Sequence, residues 1–157
     1  MKEGTDMVLK EQLQEHWKQA LKSGDKFKAN TISMVRSSIL LEEKNNGKEL
    51  NDEDVIGVLA KEVKQRREAL LEFKKGGRQD LVEEAQSEIE ILLSYLPQQL
   101  SVEEIKDFVN QAVEKVGANN IKDMGKVMGI VVPKLKGRAD GKLVSEVVKE
   151  VLIGKNK

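Results

Sequence analysis

No cysteine occurs anywhere in the 157 residues, which removes disulfides, thiolate nucleophiles and every cysteine-ligated zinc or iron–sulfur site. Aromatic residues are almost as scarce. Trp17, Phe27, Phe73, Tyr95 and Phe108 are scattered along the chain, whereas a groove that stacks single-stranded bases needs several clustered rings. Proton transfer near neutral pH has one histidine to draw on, His16, and its neighbours Gln12, Gln14, Glu15 and Gln19 mark it as a solvent-facing side chain rather than a site. Apolar runs are short, Ile130–Val132 being typical, far from the ~20 residues that span a bilayer. Residues 1–10 carry Lys2, Glu3, Asp6 and Lys10 where a secretory signal would be apolar. A soluble, cytoplasmic chain without membrane association is therefore expected.

An excess of one charge is missing too, with 27 basic residues against 27 acidic ones. The balance is not uniform, however. Residues 1–96 hold 16 Lys/Arg and 19 Asp/Glu, residues 97–157 hold 11 and 8, and from Lys115 onward there are ten basic and four acidic residues. A neutral total thus says little about any one face. A second basic stretch, residues 61–78, places Lys61, Lys64, Arg66, Arg67, Lys74, Lys75 and Arg78 against three glutamates.

What the chain has in abundance is helical periodicity. The pattern predicts seven helices: Asp6 to Lys22; a second after Asp25, ending at Asn45-Asn46-Gly47; a third capped by Asn51, with Leu50 and Val55 as a hydrophobic staple, ending at Gly76-Gly77; and a fourth from Asp80 to Leu96. Pro97 breaks the chain there. Ser101-Val102-Glu103-Glu104 is a capping-box sequence opening a fifth helix that Gly117 stops, a sixth covers roughly Lys122 to Leu135 with Pro133 disturbing its last turn, and Asp140 precedes a seventh. Residues beyond Ile153 are expected to fray. An all-α chain follows, with an N-terminal helical bundle of about four helices in residues 1–96 and a small three-helix subdomain in residues 97–157.

Catalytic groups are hard to find. Ser33, Ser37 and Ser38 lie within a helix, no Gly-x-Ser-x-Gly elbow exists, and the segment Gly137 to Lys142 is one residue short of a phosphate loop, with Leu143 where a magnesium-binding hydroxyl belongs. Asp52-Glu53-Asp54 suits the positive end of a helix, and Glu83, Glu84, Glu88 and Glu90 read as a solvated face. Neither a metal site nor a cofactor is expected, and no catalytic residue is assigned. One segment does stand out, Asp123 to Val148, which concentrates glycine and base. Gly125 and Gly129 sit four apart within a helix at about 1 kcal/mol each relative to alanine, so something requires their missing side chains: close packing of helices, or close approach of an RNA backbone. Lys134, Lys136, Arg138 and Lys142 crowd a glycine-flanked turn leading into a helix N-terminus, which is either an ordinary charged turn or a phosphate site.

The segment Met124-Gly125-Lys126-Val127-Met128-Gly129, followed by Lys136-Gly137-Arg138-Ala139-Asp140-Gly141 and Val144, resembles the signature of the YqeY family. Lys61 to Arg67, Gly77 to Leu81 and Tyr95 to Leu100 extend the resemblance along most of the chain. The family is related to the tail of the GatB subunit of the tRNA-dependent amidotransferase, and similar domains are appended to some glutaminyl-tRNA synthetases. The resemblance implies a two-part helical protein whose tail domain helps hold tRNA while catalysis occurs elsewhere. On a tRNA-binding reading, Lys126, Lys134, Lys136, Arg138 and Lys142 are expected to neutralise phosphates and Gly125, Gly129 and Gly137 to allow close approach, while the basic stretch noted above offers a secondary basic face of Lys61, Lys64, Arg66 and Arg67. Two other readings stay open: a module docking on an aminoacyl-tRNA synthetase or amidotransferase, and participation in carbon–nitrogen ligation with glutamine as amido donor, for which the residues supply no nucleophile.

Overall fold

Three of the helices begin where a side-chain oxygen, of Asp25, Asn51 or Ser101, accepts an N–H of the first turn, and four are followed directly by a glycine. In the computed structural model, which describes residues 8–155, the chain forms seven α-helices: α1 (Val8–Ser23), α2 (Lys26–Asn46), α3 (Asp52–Lys75), α4 (Gln79–Leu93), α5 (Val102–Val116), α6 (Met124–Leu135) and α7 (Gly141–Lys155). A 3₁₀ turn, Ile121–Asp123, leads into α6, and no strand occurs among the described residues, so the fold is all-α. The expected start of the first helix at Asp6 lies outside the described residues. Fraying after Ile153 does not occur at once, because α7 continues to Lys155; Asn156 and Lys157 lie outside the described residues.

The chain divides into two compact units, Met1–Leu96 and Pro97–Lys157. In the first, α3 opens with a reciprocal capping box: the Asp54 amide donates to Asn51 Oδ1 at 2.9 Å and the Asn51 amide to Asp54 Oδ2 at 3.3 Å. Leu50 and Val55, the staple pair, are both buried. Asp52 does more than complement the helix dipole, since its carboxylate accepts the Leu9 amide at 2.9 Å and so ties the start of α1 to the start of α3. The core gathers Leu13 of α1, Ile32, Val35 and Ile39 of α2, Val55, Leu59 and Val63 of α3, and Leu92 of α4. The α4 helix ends three residues earlier than the apolar pattern suggests, at Leu93, and Ser94–Leu96 turn out of it. The proline at 97 works against the last turn twice, because its ring disfavours helical geometry at Leu96 and it has no N–H for the Leu93 carbonyl four residues back.

In the second unit Ser101 and Glu104 form the same kind of box, with Ser101 Oγ accepting the Glu104 amide at 3.2 Å and Glu104 Oε1 the Ser101 amide at 2.9 Å. Gly117 ends α5 with φ +67°, a conformation that a side chain would strain. Ile105 and Val109 of α5, Val127, Val131 and Leu135 of α6, and Val144, Val148 and Leu152 of α7 converge on one core, each fully buried side chain contributing about 2 kcal/mol.

Candidate nucleic-acid interface

The α6 helix is best read as four columns, each repeating every fourth residue, because such residues lie on one side about 6 Å apart along the axis. Val127, Val131 and Leu135 form the buried column. On the opposite side, Gly125, Gly129 and Pro133 are all exposed. The column on one flank holds exposed Lys126 and Lys134 with half-buried Ile130 between them; the other holds Met128, exposed Val132 and exposed Lys136. The outer face of α6 is thus nearly bare backbone edged by lysines.

A methyl group at Gly125 or Gly129 would meet no atom within 4 Å. Close packing of helices therefore does not account for these glycines, and one of the two explanations open from the sequence falls away. Proline adds to the effect. Pro133 has no N–H, so the Gly129 carbonyl lacks the donor that a helix would normally supply from four residues on. Pro133 nevertheless leaves the last turn intact as far as Leu135.

Beyond α6 the chain reverses through a turn that the structure ties down firmly. The Arg138 and Ala139 amides both donate to the Leu135 carbonyl, at 2.9 and 3.2 Å. Gly137 takes φ +79° and is buried. Its carbonyl accepts Gln99 Nε2 at 2.7 Å, and the Arg138 carbonyl accepts the Leu100 amide at 2.9 Å. The expectation that Gly137 opens the surface to a ligand is thus corrected: it serves the turn itself, and what it makes possible is the projection of its neighbours. Lys136 and Lys142 are exposed and Arg138 is half-buried. Asp140 stands before α7, its carbonyl accepting the Val144 amide at 3.0 Å. Gln99 lies in the Tyr95–Leu100 block, but the sequence assigns it no role, and only the fold shows it bracing this turn.

One carboxylate interrupts the basic face. The Asn119 amide donates to Asp123 Oδ2 at 2.9 Å and holds that carboxyl below the usual range, with Lys126 adding to the effect. Asp123 therefore carries its negative charge near neutral pH, and it lessens the positive field at the start of α6.

The secondary basic face does not form as expected. Arg66 is buried at 7 % exposure, its Nε donating to Glu88 Oε1 at 2.8 Å and its Nη1 to Glu62 Oε1 at 2.7 Å. Ser38 Oγ donates to the other Glu62 oxygen at 2.9 Å. Arg66 therefore joins α2, α3 and α4 inside the first unit, and burial and its two carboxylate partners take it out of the exposed basic face. Glu88 likewise belongs to this cluster rather than to a solvated face. Lys61 and Lys64 remain exposed and Arg67 is half-buried. His16, expected in solvent, is half-buried, with Nδ1 2.6 Å from the Tyr95 hydroxyl; burial raises the pKa of that phenol.

The family described as Yqey-like protein matches residues 10–152. The chain belongs to the YqeY family. Among curated relatives of this YqeY-family chain, "Altered inheritance of mitochondria protein 41, mitochondrial" of Pyrenophora tritici-repentis is 30% identical over 148 residues, covering 92% of this chain and 81% of the relative. A protein of the same name from Lachancea thermotolerans is 36% identical over 87 residues, 55% of this chain and 46% of the relative. A Schizosaccharomyces pombe protein described as uncharacterized is 35% identical over 82 residues, 52% and 67% respectively. The names of the first two are those of mitochondrial proteins, and this finding overturns the expectation of a cytoplasmic chain.

Proposed function

We propose that this YqeY-family chain binds folded RNA of the tRNA class through the outer face of α6 and the turn that follows it, reading shape and phosphates rather than bases. The observation that carries the reading is the pairing of exposed, unobstructed Gly125 and Gly129 with Lys126, Lys134 and Lys136 on the columns to either side. Bare helix backbone lets a sugar–phosphate strand come close, lysines on both flanks neutralise it, and the Gly129 carbonyl is an acceptor for a ribose hydroxyl. Arg138 and Lys142 extend the charge toward the N-terminus of α7, where free amides add to the attraction for phosphate. The aromatic shortage is consistent with this mode, since no base needs to be stacked.

Fluorescence anisotropy with labelled bulk tRNA tests it. Affinity should fall steeply with salt, because each neutralised duplex phosphate contributes roughly 0.9 to the slope of log K against log salt. A binding constant that ignores salt, or no binding at low salt, would contradict it.

One observation favours a second reading, docking on an aminoacyl-tRNA synthetase or amidotransferase: Ile121 and Val132, near the same glycines, are 41% and 44% exposed. A complex with such an enzyme that survives nuclease, and that a Val132→Lys substitution abolishes, would establish that reading instead.

A further inference from the structure

A second place in the molecule has the makings of a ligand site, in the first unit and remote in sequence from the basic face. Between α1 and α2 lies a small cleft of about 100 Å³, open to solvent. Its floor is apolar, formed by buried Leu13 and Ile39, and Leu40 stands at its lip 64% exposed. Two cations and one carboxylate line it. Lys10 and Glu43 are paired with each other, and Glu43 also accepts the Leu50 amide at 2.9 Å, so that this end of the cleft is already neutralised.

Arg36 at the wall differs. Its guanidinium carbon sits 4.8 Å from the centre of the Trp17 ring, and among the described residues no carboxylate lies within 4 Å of it. Stacking on an indole restrains a guanidinium without consuming its N–H groups. Among the described residues it donates no hydrogen bond, so the side chain is a held fork beside an apolar floor and an exposed leucine. A planar anion satisfies the fork, and a short branched hydrocarbon attached to that anion covers Leu40.

We infer that the α1/α2 cleft is a binding site for a carboxylate carried on a short branched aliphatic group, with Arg36 holding the carboxylate and Leu13, Ile39 and Leu40 receiving the hydrocarbon. Two sources supply that chemistry, a free aliphatic carboxylic acid and the C-terminal residue of a polypeptide.

Trp17 is the only tryptophan, and it touches the group that would bind, so its emission reports directly. The full chain is titrated with N-acetyl-leucine, with N-acetyl-leucinamide, and with a tripeptide ending in leucine with a free carboxylate. The acid should give a saturable change in emission at about millimolar concentration, as expected for so small a ligand, and the amide none. Arg36→Gln should weaken binding at least about tenfold, the loss of a charge-assisted bidentate contact. Since that change also alters the surroundings of Trp17, amide shifts of Leu13 and Ile39 in NMR spectra serve as the second readout. Leu40→Ser, at an exposed position that leaves the core untouched, should weaken binding without changing the fold. A tripeptide that binds more tightly than the acetylated amino acid identifies a chain terminus as the ligand; equal affinity identifies the free acid. An unsaturable response, equal binding of the amide, or full binding by Arg36→Gln in the NMR readout overturns the inference. None of these results bears on RNA binding by the other unit.

Discussion

Replacing Gly125 and Gly129 together by alanine separates the two demands placed on α6. Neither position has an obstructing neighbour within 4 Å, and neither takes a positive φ, so the added methyl groups encounter nothing and the ordinary helix preference for alanine applies. Gly129 is interior and should gain about 1 kcal/mol; Gly125 is the second residue of α6 and should gain roughly half of that, about 1.5 kcal/mol in all. For a unit of this size such a gain raises the unfolding midpoint by roughly 6–12 °C. Calorimetry reads the midpoint, and hydrogen exchange at the Val131 and Leu135 amides confirms that the gain is local to α6. On the RNA side the same two methyl groups stand where the sugar–phosphate strand would lie, and affinity for tRNA should fall at least about tenfold, equivalent to about 1.4 kcal/mol. The expected outcome is a protein that is more stable and binds less. A variant that gains stability and keeps its RNA affinity would show that the open face is not the contact surface. One that loses stability would show that the glycines are packed after all.

Arg66→Ala should destabilise the first unit by about 3 kcal/mol, because it leaves Glu62 and Glu88 partly buried without their cation; urea unfolding followed by Trp17 emission measures it, and a loss under about 0.5 kcal/mol would return Arg66 to the surface. Adding Glu62→Gln and Glu88→Gln to an Arg66→Met chain should recover most of that loss. The Lys10 ammonium, followed by the Leu50 amide, holds the Glu43 carboxyl below its ordinary value of 4.5. Its pKa is thus lower folded than unfolded, so its contribution to stability is complete above about pH 5 and fades as pH falls through the folded value. Glu43→Gln should accordingly cost about 1 kcal/mol at pH 7 and much less at pH 3, and a difference independent of pH would contradict the assignment. Ser101→Ala removes one half of the α5 capping box and should cost about 1 kcal/mol of second-unit stability, measured by calorimetry; no change would mean that the cap is redundant.

Helix positions were legible because caps and apolar spacing are local. Asn51 with Asp54 and Ser101 with Glu104 each announce a first turn within four residues, and the structure closes both boxes. The burial of Arg66 and Glu88 is not legible in the sequence because their cluster draws on three helices, and a glutamate looks the same in sequence whether it meets water or an arginine. His16 hid its partner for the same reason, Tyr95 being 79 residues away. Gly125 and Gly129 were singled out from sequence by their cost, but only coordinates reveal whether the space beside a glycine is filled, and here it is open. The sequence locates Gly137 in its turn but not its role there, since its positive φ and the bond from Gln99 are tertiary facts.

The salt dependence of tRNA binding by the unmodified chain and by the Lys136→Ala/Arg138→Ala variant bears most directly on the proposed function. If both side chains contact phosphate, the slope of log K against log salt should become shallower by about 2 in the variant, with the fold unchanged by circular dichroism, since the turn is held through the backbone carbonyls of Gly137 and Arg138. Identical slopes for the two proteins would contradict the claim that this basic turn holds RNA.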